Sequence, residues 1–343
     1  MLSIANLMNS QDIGIDLGTA NVRVYVRGQG IVLSEPSVVA INKATGELLA
    51  VGDEARNMVG RAPGTIIVVR PLRDGVISSF REAERMLRFF LRKVIGKRLF
   101  FKPHVLVCMP SGITEVEQRA LIEASEEAGA KRADLMEEPV AAAIGAGLDI
   151  SAPYGNVVID IGGGTSDIAV ISMGGIVISK SVASAGDKLD EALIRYMRKV
   201  HGVLIGERTA EEIKVNIGTA IPRKDDFYME VSGRSMGTGL PKTVTIGSNE
   251  TVEAFLEPLS QIVDAVRNVL ERTPPELTAD IAENGLCLTG GGALLSGLDR
   301  LLSDKTGLRC YVAEDAPSCV AIGAGLALDN ISLISGERPR LEI

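Results

Sequence analysis

Val157–Met173, VVIDIGGGTSDIAVISM, predicts an apolar strand, a carboxylate, a glycine turn and a second apolar strand. The two runs of β-branched residues are typical of buried strands that flank a turn. Gly162, Gly163 and Gly164 carry no Cβ, so the backbone N–H groups of the turn can approach an anion closely. The pattern therefore predicts a hairpin that binds phosphate.

Asp160 stands at the end of the first of these strands. A carboxylate repels phosphate, so its presence here is explained if a divalent cation lies between the two. Magnesium fits this role, because it keeps several waters and is shared between carboxylates and nucleotide oxygens. Taken alone, the stretch also fits a glycine-rich β-turn with a capping aspartate and no ligand.

A second copy of the pattern near the N-terminus favours the ligand. Ile13–Val32, IGIDLGTANVRVYVRGQGIV, aligns with Val157–Val177, so that Asp16 matches Asp160. Two copies of one hairpin predict two similar halves of the molecule. We expect the nucleotide phosphates to lie between the hairpins, held by backbone amides, with the two aspartates sharing one metal ion.

Other stretches extend the pattern. Leu286–Leu302, LCLTGGGALLSGLDRLL, predicts a strand, a glycine turn and a helix, which is typical of a nucleotide bound at a helix N-terminus. Met136–Leu148 predicts a helix of small residues, and Val320–Leu328 echoes it, so we expect one such helix in each half. Thr209 is expected to cap a helix that runs to Gly218.

Composition excludes several classes of protein. The chain has 343 residues, which suggests about two domains, and its net charge of −8 argues against nucleic acid as a partner. Two histidines argue against a histidine triad or zinc site, and four cysteines without CxxC spacing predict buried free thiols in a reducing cytoplasm. We expect neither a transmembrane helix nor a signal peptide.

Two segments remain ambiguous from the residues alone. Gly96–Pro103, GKRLFFKP, fits either the start of a buried strand or an exposed tip that dips into a membrane. Residues 1–11 fit either a short helix on a lipid surface or a frayed terminus.

Three glycine motifs together resemble those of the actin, Hsp70 and sugar-kinase ATPase superfamily: DLGTAN at 16–21, DIGGGTSDIAVIS at 160–172 and LTGGGALL at 288–295. The intervening GIVLSEPSVVA, EEPVAAAIGAG and GERTAEEIK resemble one branch, the MreB family of bacterial actins (MreB/Mbl-like). The resemblance covers residues 12 to about 330. It implies an α/β, actin-like ATPase fold with two similar halves, built on duplicated ribonuclease H-like cores, with the nucleotide in the cleft between them.

Each half is expected to carry a small subdomain. The first half is predicted at 1–150, with its core at 1–32 and 80–150, its small subdomain at 33–79, and 331–343 as a candidate to pack on it. The second half is predicted at 151–330, with its core at 151–185 and 251–330 and its small subdomain at 186–250.

The resemblance also implies a site for ATP or ADP with Mg²⁺, with Asp16 and Asp160 at the metal. The residues implied to bind the nucleotide are Thr19, Ala20, Asn21, Gly162, Gly163, Gly164 and Thr165 at the phosphates, Glu211, Glu212 and Lys214 at the ribose and base, and Gly290, Gly291, Gly292 and Ala293 at the adenosine. Glu138 is implied to position the attacking water, supported by Thr165; the residues alone favour Glu138 as a helix N-cap. Ser166 and Asp167 stand where many members of the family have a second Thr or a Glu after the glycines.

The function implied is that of a weak ATPase that polymerises head to tail into filaments of paired protofilaments and organises cell-wall synthesis in rod-shaped cells. Leu99, Phe100 and Phe101 are implied to insert into the inner face of the cytoplasmic membrane. Cell-wall elongation membrane proteins are the implied partners, and the implied location is cytoplasmic and peripheral to that membrane. The alternatives are a sugar-type small-molecule kinase, which needs a sugar cleft and a catalytic Asp, and an Hsp70-like ATPase, which needs a peptide-binding domain.

Overall fold

The computed structural model describes residues 12–96, 102–109 and 113–328. These residues form two compact units. The first comprises 12–153, 171–176 and 318–328 within the described ranges, and the second comprises 154–170 and 177–317. Leu99, Phe100 and Phe101, together with residues 1–11 and 331–343, lie outside the described residues.

The strands, numbered in chain order, are β1 (Ile13–Leu17), β2 (Asn21–Val26), β3 (Gly30–Pro36), β4 (Val39–Asn42), β5 (Leu48–Val51), β6 (Ile66–Val69), β7 (Leu72–Arg73), β8 (Val76–Ile77), β9 (His104–Met109), β10 (Arg132–Glu137), β11 (Asn156–Ile161), β12 (Ser166–Ser172), β13 (Gly175–Val182), β14 (Val203–Leu204), β15 (Tyr228–Ser235), β16 (Pro241–Gly247), β17 (Leu286–Thr289) and β18 (Cys310–Val312). The α-helices are α1 (Asp53–Arg56), α2 (Phe80–Ile95), α3 (Glu115–Ala128), α4 (Glu138–Gly145), α5 (Gly186–Tyr196), α6 (Glu207–Ile217), α7 (Ser248–Arg272), α8 (Pro275–Asn284), α9 (Leu298–Thr306) and α10 (Cys319–Ala327).

The first unit is built on a five-stranded sheet with the order β10-β9-β1-β2-β3. The central strand β1 runs parallel to β9 and antiparallel to β2. Strand β2 alternates buried valines with half-buried polar residues, because one of its faces covers the core. Helix α2 packs Met86, Leu87, Phe90 and Leu91 into the same core. A smaller sheet, β5-β4-β6, forms a second cluster with α1.

The second unit repeats this topology. Its main sheet has the order β13-β12-β11-β17-β18, and β11 runs parallel to β17 as β1 does to β9. Read from the opposite edge, each of its strands has a counterpart in the first sheet. The two similar halves predicted from the repeated hairpin are therefore confirmed, because duplicated sequence has produced the same strand order twice. Strands β14, β15 and β16 form a smaller sheet in this unit.

The two helices of small residues are both in the first unit, so the prediction of one in each half is wrong. Helices α4 and α10 pack with their backbones in contact: a Cβ on Gly323 would lie 1.8 Å from the carbonyl oxygen of Ala141, and one on Gly145 would lie 1.9 Å from that of Cys319. This contact explains the small residues in both stretches. It also places 318–328 with the first unit, whereas the sequence-based division put them in the second half.

Three further expectations can be compared with the structure. Helix α6 begins at Glu207 after Gly206, two residues before Thr209, so Thr209 is not its cap. The four cysteines are buried and free, as predicted. None of the helices within the described ranges is long and apolar enough to cross a membrane.

Candidate nucleotide-binding site

The turn of the first hairpin joins β1 to β2, and a buried serine holds it. The Ser37 hydroxyl donates to the carbonyl oxygen of Gly18 at 2.5 Å, and the Ser37 N–H donates to that of Ala20 at 2.9 Å. In a trans peptide the C=O and N–H groups point in opposite directions, and the described chain has no cis peptide bond. The N–H groups of Thr19 and Asn21 are therefore directed away from Ser37, where an anion can receive them.

The second hairpin directs its amides in the same way. The carbonyl oxygens of Gly162 and Gly163 accept hydrogen bonds from the N–H groups of Gly186 (3.2 Å) and Asp187 (2.7 Å), the first residues of α5. These bonds satisfy amides that have no partner inside the helix. They also turn the N–H groups of Gly163 and Gly164 away from α5.

Gly162 has a different role from the one implied by the resemblance. Its N–H donates to the carbonyl oxygen of Thr165 at 2.9 Å and closes the turn of the hairpin. The amide of Gly162 thus closes the turn, while the amides of Gly163 and Gly164 are directed away from α5.

Asp16 is a buried carboxylate in the first hairpin, 7% exposed. It faces Arg23 across the β1–β2 pair, with 3.7 Å between Oδ2 and the nearest guanidinium nitrogen. Burial raises the pKa of Asp16 to about 6, and the charge of Arg23 opposes that rise. A further cation at this carboxylate would favour its ionised form, as a metal ligand requires.

Asp160, its counterpart in the second hairpin, is 5% exposed and has a different neighbour. Its Oδ1 accepts a hydrogen bond of 2.8 Å from the hydroxyl of Thr289, which is fully buried. Thr289 was not among the residues predicted from sequence. Its position directly before a glycine turn was visible there, but its pairing with Asp160 depends on the β11–β17 register.

The third glycine turn packs tightly against the second hairpin. Gly290 has φ +80° and ψ 167°, and a Cβ there would lie 2.3 Å from the carbonyl oxygen of Ile161. A Cβ on Gly292 would lie 2.3 Å from the Ile161 side chain. Gly291–Leu294 then forms a single 3₁₀ turn, and α9 begins only at Leu298. The predicted strand and turn are confirmed, but the turn does not lead directly into an α-helix N-terminus.

Lys214 lies beside the second hairpin. Its ammonium group donates to the carbonyl oxygen of Gly186 at 3.0 Å and to Asp190 Oδ2 at 2.7 Å. Burial raises the pKa of Asp190 to about 6; Lys214 opposes that rise, while Glu211 adds to it. Sequence reasoning missed Asp190, because it lies on α5 and meets Lys214 only through the packing of α5 against α6.

The three polar residues predicted on α6 do not share one face of the helix. Glu211 and Lys214 are half-buried, whereas Glu212 is exposed and pairs with Arg208 at 3.1 Å. Helix geometry explains the split, because residues three apart share a face and the next residue is turned about 100° away. Glu212 is therefore not placed with the other two.

Glu138 and Thr165, the predicted hydrolytic residues, are both buried. Glu138 is the first residue of α4, and Glu137 occupies the N-cap position, so the interpretation of Glu138 as the N-cap is wrong. A carboxylate in the first helical turn is favoured by the helix dipole. The Thr165 hydroxyl bonds to Asp167, whose pKa is raised by burial.

Each of the two aspartates offers the kind of ligand atom that magnesium prefers. Asp16 and Asp160 offer buried oxygen ligands near the ends of the equivalent strands β1 and β11. The described ranges contain no group of three or more His, Cys, Asp or Glu side chains able to hold a metal ion. Magnesium usually takes one or two carboxylates and completes its shell with water and phosphate oxygens.

Comparison with known proteins agrees with the geometry. A family model described as MreB/Mbl protein matches residues 10–336. The cell shape-determining protein Mbl of Bacillus cereus is 54% identical over 324 residues, which are 94% of this chain and 97% of that protein. The cell shape-determining protein MreB of Escherichia coli is 51% identical over 335 residues, 96% of each chain.

Among solved structures, the crystal structure of MreB5 of Spiroplasma citri bound to ADP has a TM-score of 0.89 at 40% identity, covering 94% of this chain and 97% of that one. The AMPPNP-bound form of the same protein has a TM-score of 0.88. The three glycine turns, the duplicated sheet and these similarities lead to one conclusion: the chain belongs to the MreB/Mbl family and has the actin-like ATPase fold.

Proposed function

We propose that this protein binds and hydrolyses ATP, polymerises into membrane-associated filaments, and organises cell-wall synthesis to maintain rod shape. The observation that carries the proposal is the backbone of the two hairpins, in which bonds from Ser37 and from the first residues of α5 turn amides outward. Such turned amides bind phosphate without a cationic side chain. Relatives named for cell-shape determination favour this function over a sugar kinase.

The phosphates are assigned to the amides of Thr19 and Asn21 in one hairpin and of Gly163 and Gly164 in the other, with Ala20 beside them. Asp16 and Asp160 are assigned to magnesium, which, when bound, neutralises charge on the phosphate oxygens. ATP and ADP are the proposed nucleotides because MreB5 is bound to ADP and to AMPPNP in its structures.

Residues of the second unit are assigned to the rest of the nucleotide. Lys214 lies beside the glycine turn and can approach a phosphate or the ribose, and Glu211 shares its face. Gly290–Ala293 are assigned to the adenosine: Gly290 and Gly292 pack on Ile161, whereas a Cβ on Gly291 would meet no atom within 4 Å. Glu212 is removed from the proposed site, since it faces Arg208.

Hydrolysis is assigned to Glu138 and Thr165. Phosphoryl transfer needs little covalent chemistry from the protein, so one carboxylate that orients the attacking water is sufficient. Its place in the first turn of α4 puts the Glu138 carboxylate at the helix end where the dipole favours negative charge. Asp167 holds the Thr165 hydroxyl, which gives this side chain a defined orientation.

Assembly and membrane attachment are expected to depend on each other. Head-to-tail stacking is a contact that does not close on itself, so it produces open filaments. Each of Leu99, Phe100 and Phe101 that inserts its side chain into the membrane is expected to contribute about 1.5–3 kcal/mol to membrane binding. One subunit therefore binds weakly, whereas a filament presents many such segments at once and binds firmly. We place the protein at the inner face of the cytoplasmic membrane, with cell-wall elongation proteins as partners.

Sedimentation at high speed tests the proposal. The protein is centrifuged with Mg-ATP, with Mg-ADP or without nucleotide, each with and without anionic liposomes, and the pellets are imaged by electron microscopy. We expect filaments that require ATP and lie on lipid. A Leu99→Ser/Phe100→Ser double variant should still form filaments but leave the liposomes bare. A protein that stays monomeric under every condition would contradict the proposal.

A further inference from the structure

The Thr289–Asp160 hydrogen bond joins the strand before the third glycine turn to the second hairpin. The two residues are register partners on the parallel strands β17 and β11. The hydroxyl of Thr289 lies 2.8 Å from Asp160 Oδ1, and both residues are buried. A hydrogen bond to a carboxylate is stronger than one between neutral groups, and burial protects it from competition with water.

The duplication supplies an internal comparison. In the first unit the register partner of Asp16 on the equivalent strand β9 is Cys108. The Cys108 thiol points to the carbonyl oxygen of Val320, 3.9 Å away, and the partner of Asp16 is Arg23 instead. The two aspartates thus occupy equivalent places in the fold, but the hydroxyl that holds Asp160 has no equivalent on β9.

The chemical difference matters for a metal ion. Arg23 brings a positive charge to Asp16 and reduces the negative potential that a cation meets there. Thr289 brings a neutral donor to Asp160, and this hydrogen bond orients the carboxylate without adding a positive charge. Asp160 is also covered by the third glycine turn, since a Cβ on Gly290 would lie 2.8 Å from its Oδ1.

We propose that Thr289 is a positioning residue for magnesium: by holding Oδ1, its hydroxyl fixes the orientation in which Asp160 meets the metal ion of the bound nucleotide. The inference rests on the proposed function, because it assumes that Asp160 serves magnesium. Residues that orient metal-binding side chains typically contribute 10- to 100-fold to metal affinity or activity. Thr289 also connects the segment assigned to adenosine with the carboxylate assigned to magnesium.

The test measures ATP affinity with excess Mg²⁺ and with EDTA. The ratio of the two affinities is the gain in ATP affinity that depends on Mg²⁺. Thr289→Val keeps the shape of the side chain and removes the hydroxyl, and Thr289→Ser retains it. Thr273→Val is the matched control, because the Thr273 hydroxyl is also buried but donates to the carbonyl oxygen of Val269 at the end of α7. Thermal unfolding without nucleotide reports any general loss of stability.

We expect Thr289→Val to lower the Mg²⁺-dependent gain in ATP affinity by about 10- to 100-fold. Affinity in EDTA should stay at the wild-type value, Thr289→Ser should restore the gain, and Thr273→Val should leave it intact. An unchanged gain in Thr289→Val, or an equal loss with and without Mg²⁺, would overturn the inference.

The Asp160→Asn variant distinguishes failure of the inference on Thr289 from failure of the proposed role of Asp160. If Asp160→Asn removes the Mg²⁺-dependent gain while Thr289→Val does not, the inference on Thr289 is wrong and the proposed role of Asp160 stands. If Asp160→Asn itself keeps the full gain, the assignment of Asp160 to magnesium is wrong, and the inference falls with it.

Discussion

Gly290 and its neighbour Gly291 offer a paired test of how the third glycine turn is built. In Gly290→Ala the new Cβ would lie 2.3 Å from the carbonyl oxygen of Ile161 and 2.7 Å from its carbonyl carbon. These are backbone atoms of a central strand, so the turn must move by about 1 Å to reach ordinary contact. In Gly291→Ala the Cβ would meet no atom within 4 Å.

The expected cost follows from two effects. The φ and ψ of Gly290, +80° and 167°, lie in a region that is essentially restricted to glycine, and a side chain there costs about 1–3 kcal/mol. Crowding in a packed interior costs about 1–3 kcal/mol more. Gly290→Ala should therefore lower the free energy of unfolding by about 2–6 kcal/mol. Gly291→Ala should change it by less than about 1 kcal/mol.

Urea unfolding of the nucleotide-free proteins, followed by circular dichroism, measures both values. Titration of the folded variants with ATP then tests whether the nucleotide occupies the open space beside Gly291. We expect Gly291→Ala to be as stable as wild type and to bind ATP more weakly. A Gly290→Ala protein within about 1 kcal/mol of wild type would refute the close packing of this turn on Ile161.

Three further predictions concern the hairpins and their charged neighbours. Ser37→Ala frees the carbonyl oxygen of Gly18 and should weaken ATP binding about 5- to 10-fold, because a net hydrogen bond contributes about 1 kcal/mol; equal ATP titrations of variant and wild type would contradict this. The folded-state pKa of Asp16, about 6, lies above its ordinary value of 3.8, so its contribution to stability falls as pH rises through 6. Magnesium needs the ionised carboxylate, so the rise in thermal midpoint caused by Mg-ATP should be smaller at pH about 5 than at pH about 7.5. In Asp16→Asn this rise should not change between the two pH values. An equal rise at both pH values in the wild type would count against the metal role of Asp16. Lys214→Met leaves Asp190 buried without its cation and should cost about 3–5 kcal/mol at neutral pH, with a smaller loss in acid where Asp190 is protonated; denaturant midpoints that show no pH dependence would contradict it.

The sequence predicted those parts of the fold that rest on local pattern and repetition. The strands of both hairpins follow from β-branched runs around a turn. The duplicated sheet followed from the alignment of Asp16 with Asp160, since similar sequence patterns form similar strands and turns. The proposed roles of Glu138 and Lys214 came from the family resemblance, since no local pattern indicated them.

What the sequence did not predict depends on contacts between distant segments. Ser37 reaches the first turn from the end of β3, and Thr289 meets Asp160 only through strand register. The pairing of α4 with α10 reversed the expected place of 318–328, because small residues indicate close packing without indicating the partner. Glu212 was grouped with Lys214 by the family resemblance, although helix periodicity turns it to another face.

The central claim is that the amides of the two hairpins bind the phosphates of ATP and that Asp160 serves the magnesium ion. A crystal structure of this protein with Mg²⁺ and AMPPNP tests it most directly. The account predicts phosphate oxygens within hydrogen-bonding distance of the amides of Thr19, Asn21, Gly163 and Gly164, with the metal or one of its waters on Asp160. A nucleotide bound elsewhere, or phosphates held by side chains while these amides stay free of them, would contradict it.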